Sequence, residues 1–205
     1  MNNTEPSVFI IDDDESVREA LLFLMKSMEF NATAFVSAKE FMAQYENDVP
    51  GCIVSDIRMP GMSGLELQQA LRKRDSKMPI IFITGHGDIS MAVEAIKNGA
   101  ENFLTKPFRD QELLDCVNAA MDKDQLQRGK LGEKEAIELR LASLSTRERQ
   151  VLDLVVAGKT NKVIAFELNL SHRTIEVHRS HVMEKMQVRA LADLVKLLHK
   201  VTETD

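Results

Sequence analysis

A chain of 205 residues, 44% apolar and 28% charged, has the composition of a globular protein of one or two domains and excludes a disordered or fibrous one. No run of 18 apolar residues occurs, and the stretch MNNTEPSVFIIDDDE has neither the basic start nor the cleavage site of a secretory signal, so a cytoplasmic protein with no membrane partner is expected. The formal charge of −6 is shared unevenly: residues 1–142 hold 16 Lys and Arg against 24 Asp and Glu, whereas residues 143–205 hold 10 against 8, a balance that only there suits nucleic acid.

In chain order, residues 7–11, 31–35, 52–55, 79–83 and 102–104 read as strands. Helical patterns lie between them near 15–28, 38–46, 64–74 and 89–98, and a fifth helix starts near Arg109. Five alternations of strand and helix predict an α/β fold, a doubly wound parallel sheet covered on both faces. The runs VFII, CIV and IIFI are nearly all apolar and suit central strands, and the other two suit edges. Cys52 and Cys116, far apart among apolar neighbours, read as reduced buried thiols, with a disulfide as the alternative. Past Met121 the pattern changes. Residues 122–140 are strongly charged, contain Gly129 and Gly132, and read as a partly helical linker. From Leu144 no strand returns, and short helices fit 146–157, 160–168, 172–186 and 190–200. Ser145 with Glu148 forms a capping-box pattern at the first of these, and Gly158 ends it. The expected division is 1–122, a linker over 123–140, and an all-helical domain over 141–205.

In a parallel sheet of this kind, ligands collect outside the carboxyl ends of the strands. Asp12, Asp13 and Asp14 follow the first predicted strand, Asp56 the third, Thr84 the fourth, and Lys106-Pro107 the fifth. Carboxylates gathered there repel one another unless a cation joins them. A hard, oxygen-rich cluster with few ligands suits Mg²⁺, which tolerates one or two carboxylates plus a phosphate. With Lys106 as a fixed positive charge and the Thr84 hydroxyl as a donor, the set describes a phosphoryl-accepting site with Asp56 as nucleophile. Asp14 and Glu15 read instead as the acidic start of a helix.

In the second half, NKVIAFEL and a following polar helix, joined through Asn169–Leu170 and Ser171, describe a helix-turn-helix. The second helix carries Arg173, Thr174, Glu176, Val177, His178, Arg179 and Ser180 near its start. Arginines bind phosphate or guanine edges, glutamate accepts from cytosine, and valine meets a thymine methyl. Lys159, Thr160 and Lys162 offer amides and charge to phosphates. A small helical bundle for protein contacts is the bland alternative. His172, His178 and His181 lack a cysteine or carboxylate to complete a zinc set.

The strings VFIIDDDESVR, CIVSDIRMPGMSGLEL and IIFITGHGDISMAVEAIKNGAENFLTKPF resemble the receiver domain of response regulators, above all the FixJ subgroup, over about residues 6–122. The resemblance implies a flavodoxin-like, CheY-like sheet of order 2-1-3-4-5 and phosphotransfer from a sensor histidine kinase to Asp56. It also implies Mg²⁺ held by Asp13, Asp56 and the Arg58 carbonyl, with Asp12 acting through a water. Lys106 would contact the phosphoryl oxygens beside a cis Lys106–Pro107 bond. Thr84 and Phe103 fall at the family's switch pair, and Val93 and Lys97 become candidates for a dimer surface; a solvated helix face is the alternative for Lys97.

LSTRERQVL, NKVIA and the S-x-R-T-I-x-x-H pattern are similar to the LuxR/NarL-type DNA-binding domain over about residues 141–202, with Glu176 where many members carry lysine. Together the two resemblances imply a two-component transcription factor that dimerises on phosphorylation, binds double-stranded promoter DNA, works with RNA polymerase and activates transcription. They do not imply an enzyme. A haloacid-dehalogenase-type phosphatase needs a second aspartate two residues after the nucleophile, and here that residue is Arg58. A scaffold without phosphorylation would lack Asp13, Asp56 or Lys106, and a quorum-sensing regulator would lack the acidic pocket.

Overall fold

Strands β1 (Ser7–Ile11), β2 (Asn31–Phe35), β3 (Gly51–Asp56), β4 (Ile80–Thr84) and β5 (Asn102–Thr105) alternate with helices α1 (Glu15–Ser27), α2 (Ala38–Gln44), α3 (Gly64–Lys73), α4 (Ile89–Lys97) and α5 (Asp110–Ala142). The structure is a computed structural model and describes residues 5–46, 49–85 and 89–202. All neighbouring strands are parallel, in the order β2-β1-β3-β4-β5. Because successive side chains leave a strand on opposite faces, Val8, Ile10, Cys52, Val54, Ile81 and Ile83 go to one core, with Leu21 and Met25 of α1 and Leu113 and Val117 of α5. Ile11, Ile53, Ile80 and Phe82 go to the other, under Phe41 of α2, Leu67 and Leu71 of α3 and Ala95 of α4.

Every residue of β3 and β4 is buried, whereas β2 and β5 are partly exposed edges. β4 begins at Ile80 rather than at Pro79, since proline has no N–H for the ladder; Pro79 supplies only its carbonyl, to Ile53 N at 2.9 Å. Cys52 and Cys116 are buried and free, and burial pushes the Cys52 thiol up to about 12.

The chain divides into two compact units, residues 1–128 and 129–205. The stretch read from sequence as a partly helical linker is helical throughout and belongs to α5. Gly129 and Gly132 each cost such a helix about 1 kcal/mol, and side chains on either side of them hold it. Asp124 is buried, accepts from Gly51 N at 2.9 Å and pairs with Arg128 Nε at 2.7 Å; Arg128 in turn donates to the Val49 carbonyl at 2.6 Å. In the second unit Ile137 is buried with Leu152, Val182, Met186 and Leu194.

That unit also contains α6 (Thr146–Val156), α7 (Asn161–Leu168), α8 (His172–Lys185) and α9 (Leu191–Thr202). The Ser145–Glu148 capping box forms, Gly158 follows α6 at φ +77°, and Asn169 ends α7 at φ +53°. Beyond its capping role, Glu148 is buried and ties α6 to α8, through Lys185 Nζ at 2.6 Å and His181 Nδ1 at 3.6 Å.

Two predictions follow from this packing. Gly51 has φ +141°, and a Cβ there would lie 1.9 Å from the Ser7 carbonyl oxygen; at Gly99, φ +86°, a Cβ would meet nothing within 4 Å. Urea denaturation should show Gly51→Ala costing about 3 kcal/mol or more and Gly99→Ala only about 1–2 kcal/mol. The second concerns pH. Hydrogen bonds from Lys185 and the Ser145 backbone hold the Glu148 carboxyl at about 2, below its ordinary 4.5. A depressed folded-state value means stabilisation that is full above 4.5 and lost as pH falls toward 2. Chemical denaturation of the second unit across that window should show the loss in the wild type and a flatter profile in Glu148→Gln.

Candidate functional site

The carboxyl ends of β1, β3, β4 and β5 bring the acidic residues and the lysine together. Asp12, directly after β1, is fully buried; Asp56, the last residue of β3, is nearly so; Asp13 is exposed. One carboxylate oxygen from each lies within 4.8 Å of the others. Lys106, just past β5, places Nζ 2.7 Å from Asp12 Oδ2 and 3.4 Å from Asp56 Oδ2. Burial raises the Asp12 pKa, and the hydrogen bonds from Lys106 and the Asp14 amide only partly offset it. Burial works against the Lys106 charge too, but its bonds to Asp12 and Asp56 prevail and hold its pKa above the ordinary value.

Local structure sets these positions. Asp14 caps α1, accepting from Ser16 N at 2.9 Å and Ser16 Oγ at 2.6 Å, while its own N–H donates to Asp12 Oδ1 at 2.9 Å. Arg18, one turn into α1, donates to the Asp12 and Asp13 carbonyls, both at 2.9 Å. The Arg58 amide donates to Asp56 Oδ1 at 3.2 Å, and Ser55 Oγ donates to the Asp56 carbonyl at 2.8 Å. Gly64, at the start of α3, passes so near that a Cβ would lie 2.5 Å from the Asp56 carbonyl oxygen. The Lys106 amide donates to the Thr84 carbonyl at 2.7 Å, and the Lys106–Pro107 bond is cis.

Thr84 ends β4 and is buried; Phe103 on β5 stands beside Phe82 and is half-buried against the core. On α4, Val93, Ile96 and Lys97 are exposed. His86, Gly87 and Asp88 of the ITGHGD string lie outside the described residues. Arg18 and Gly64 were not singled out from sequence. The spacing of Arg18 one turn past the capping Asp14 is a usable signal, whereas a close approach to Gly64 leaves none.

The donor set suits a small hard cation. Oxygens sharing one Mg²⁺ at about 2.1 Å each lie within about 4.2 Å of one another, so the observed 4.8 Å needs only modest side-chain rotation. Among the described residues, the side chains of Asp12, Asp13 and Asp56 are able to hold it.

In the second unit, α7 and α8 meet through Asn169–Ser171, and Ser171 caps α8 by accepting from Thr174 N at 3.0 Å. Arg173, Glu176, Val177 and Ser180 are exposed at helical spacing along one side of α8, Thr174 is half-buried, and Ile175 points into the core. Arg173 is the most exposed of its cations and pairs with Glu176 at 3.2 Å. Two further expected DNA-contacting cations also have partners: Arg179 donates to Asn161 Oδ1 at 2.6 Å, and Lys159 sits 2.7 Å from both Glu167 oxygens. Lys162 and Thr160 are exposed near the start of α7, and His178 is half-buried with its Nδ1 unpartnered.

Comparison with known proteins agrees with both halves. Residues 8–118 match the response regulator receiver domain, and residues 142–198 match the luxR family of bacterial regulatory proteins. The chain is 45% identical to nodulation protein W of Bradyrhizobium diazoefficiens, covering 95% of this chain and 86% of that one. It is 43% identical to the transcriptional regulatory protein FixJ of the same species, covering 95% of each. The solved structure of the response regulator StyR superposes with a TM-score of 0.90 at 44% identity, covering 96% of this chain and all of that one. The chain therefore belongs to the response regulators, within the FixJ-like group that joins a receiver domain to a LuxR-type DNA-binding domain in one transcription factor.

Proposed function

We propose that Asp56 is phosphorylated by a sensor histidine kinase with Mg²⁺ present, and that the aspartyl phosphate promotes dimerisation and promoter binding. The observation that carries this reading is the convergence of Asp12, Asp13, Asp56 and Lys106 on one pocket at the strand ends. An Asp56 carboxylate oxygen attacks the phosphorus of the kinase phosphohistidine; the O–P bond forms as the N–P bond breaks, and the imidazole leaves with the electron pair. Asp12, Asp13, Asp56 and the Arg58 carbonyl would hold the metal, which neutralises charge on the phosphoryl oxygens. Lys106 keeps its proton beside the acceptor and turns toward the incoming phosphoryl group. Asp56 is followed two residues later by Arg58 rather than an acid, which counts against phosphatase-type turnover.

Phosphorylation adds roughly −1.5 to −2 charge. Thr84 donates its hydroxyl to the new phosphoryl group, and Phe103 rotates into the space it leaves. As phenylalanine it has no hydroxyl to hold either rotamer. The face of α4 and β5, with Val93 and Lys97, then pairs two chains. On DNA, α8 enters the major groove with Arg173, Thr174, Glu176 and Val177 toward base edges, while Lys162, Thr160, Ser180 and His178 lie toward phosphates. Lys159 and Arg179 contribute there only by exchanging their internal partners. Residues 1–122 act as receiver, 123–140 as connection and 141–205 as DNA-binding domain, and the bound promoter brings in RNA polymerase for activation.

Sedimentation of the full chain with Mg²⁺ and beryllofluoride, or a small phosphodonor, should convert the wild type to dimer and leave Asp56→Asn monomeric. A phosphorylated wild type that stays monomeric would overturn the dimer switch, and failure to phosphorylate would overturn the assignment of Asp56. For the DNA face, Arg173→Ala should lower promoter affinity about tenfold to a hundredfold in a gel-shift titration, with thermal stability unchanged. Arg179→Ala should instead cost about 1–2 kcal/mol of stability through loss of the Asn161 bond. Equal effects of the two on stability would remove Arg173 from the interface.

A further inference from the structure

Arg18 stands one turn into α1 with Asp12, Asp13, Asp14 and Glu15 just before it, yet among the described residues it forms no ion pair. An arginine four residues after an aspartate ordinarily pairs with it across the helix surface. Asp14 occupies that position, but its carboxylate is bonded to Ser16 instead. The Arg18 guanidinium is turned to the backbone: Nη1 donates to both the Asp12 and the Asp13 carbonyl, each at 2.9 Å. The Asp13 carbonyl lies at an exposed turn and could accept from water, so hydrogen-bond satisfaction alone does not call for an arginine.

Those two carbonyls belong to the peptide planes on either side of the Asp13 Cα. Each plane is rigid, and the only soft motions between them are the two dihedrals of Asp13. A single nitrogen bonded to both oxygens therefore holds φ and ψ of Asp13 together, and with them the direction in which its side chain leaves the backbone. Asp13 is the member of the acidic set that depends on this. The Asp12 carboxylate is held by Lys106 and the Asp14 amide, and that of Asp56 by Lys106 and the Arg58 amide. The exposed Asp13 carboxylate, among the described residues, has neither a hydrogen bond nor an ion pair. Its place within 4.8 Å of the other two rests on its backbone.

We propose, on the reading of Asp12, Asp13 and Asp56 as the metal-holding set, that Arg18 is a positioning residue for the divalent cation. It acts through the backbone of Asp13, keeping that carboxylate where it can join the other two. Charge alone gives the opposite expectation. Arg18 is itself positive, so removing it would make an acidic pocket more attractive to Mg²⁺, whereas removing a positioning residue weakens Mg²⁺. The sign of the change separates the two.

Mg²⁺ titration of the full-length protein, followed by amide NMR shifts with no phosphodonor present, tests this. Arg18→Met, which keeps an unbranched stem but has no donor, should weaken Mg²⁺ about tenfold. Arg18→Gln, too short to take the place of Nη1, should do the same. Arg18→Lys offers one nitrogen to both carbonyls and should stay within about threefold of the wild type. The spectra show whether each variant is folded. Mg²⁺ affinity at or above the wild-type value in Arg18→Met and Arg18→Gln, or an Arg18→Lys as weak as these, would overturn the role of Arg18 and leave the cation site in place. A wild type that binds no Mg²⁺, or an Asp13→Asn that binds it equally well, would overturn the metal-holding set and the role of Arg18 with it.

Discussion

Three carboxylates share a space in which an oxygen from each lies within 4.8 Å of the others, two of the three are buried, and one lysine stands among them. At that separation two full charges repel by about 3–4 kcal/mol with an effective dielectric constant near 20. The receiver's architecture can be understood as the means of holding that arrangement. Lys106 opposes the repulsion at 2.7 Å from Asp12, and the amides of Asp14 and Arg58 donate to Asp12 and Asp56. Asp14, capping α1, turns the positive end of that helix toward the same place. Arg18 contributes through backbone alone: by holding the carbonyls of Asp12 and Asp13 it fixes where their side chains start. What remains uncompensated suits the pocket to a small hard cation.

That requirement explains why the sheet is parallel and buried on both faces. A single hairpin cannot deliver side chains from four strand ends to one point; parallel strands with helical crossovers can, because all their carboxyl ends lie on the same side. The crossovers must then cover both faces, which is why β3 and β4 have no exposed residue and why the strand side chains sort into two cores by alternation. Gly64 belongs to the same logic. The loop that follows Asp56 returns so close to the Asp56 carbonyl that no side chain fits.

Much of this was legible in the sequence because it depends on local rules. Alternation of apolar runs with amphipathic stretches locates the strands and most helices to within a few residues, though not the end of α5, and the residues after the predicted strands, Asp12, Asp56 and Lys106, converge at the strand ends. Departures occur where tertiary contacts outweigh local preference. Residues 122–140, with Gly129, Gly132 and many charges, look poorly helical by propensity, yet they are helical because Asp124 and Arg128 bond to the backbone near Gly51 and Ile137 enters a core. In the helix-turn-helix, residue types on α8 indicated which could read DNA but not which were already engaged. Arg173, Arg179 and Lys159 look equally available in sequence, and only the fold reveals their bonds to Glu176, Asn161 and Glu167 and that Arg173 is the most exposed. Gln68, a polar residue on an otherwise ordinary helix, carried no signal of its burial.

Gln68 also bears on how α4 is held to the rest of the receiver. Among the α4 residues whose side chains are described, only Ala95 is buried, while Val93 and Ile96 are exposed. A helix with so little buried apolar surface is held loosely, and such elements shift at low cost. Its carboxyl end is tied to α3 through the bonds from the Gln68 amide to the Ala95 and Asn98 carbonyls. Its amino end follows β4, whose last residue is Thr84. Any rearrangement of Thr84 would therefore act on one end of α4, and the Gln68 bonds act on the other. The two Gln68 bonds are thus among the contacts that any movement of the exposed α4 face would work against.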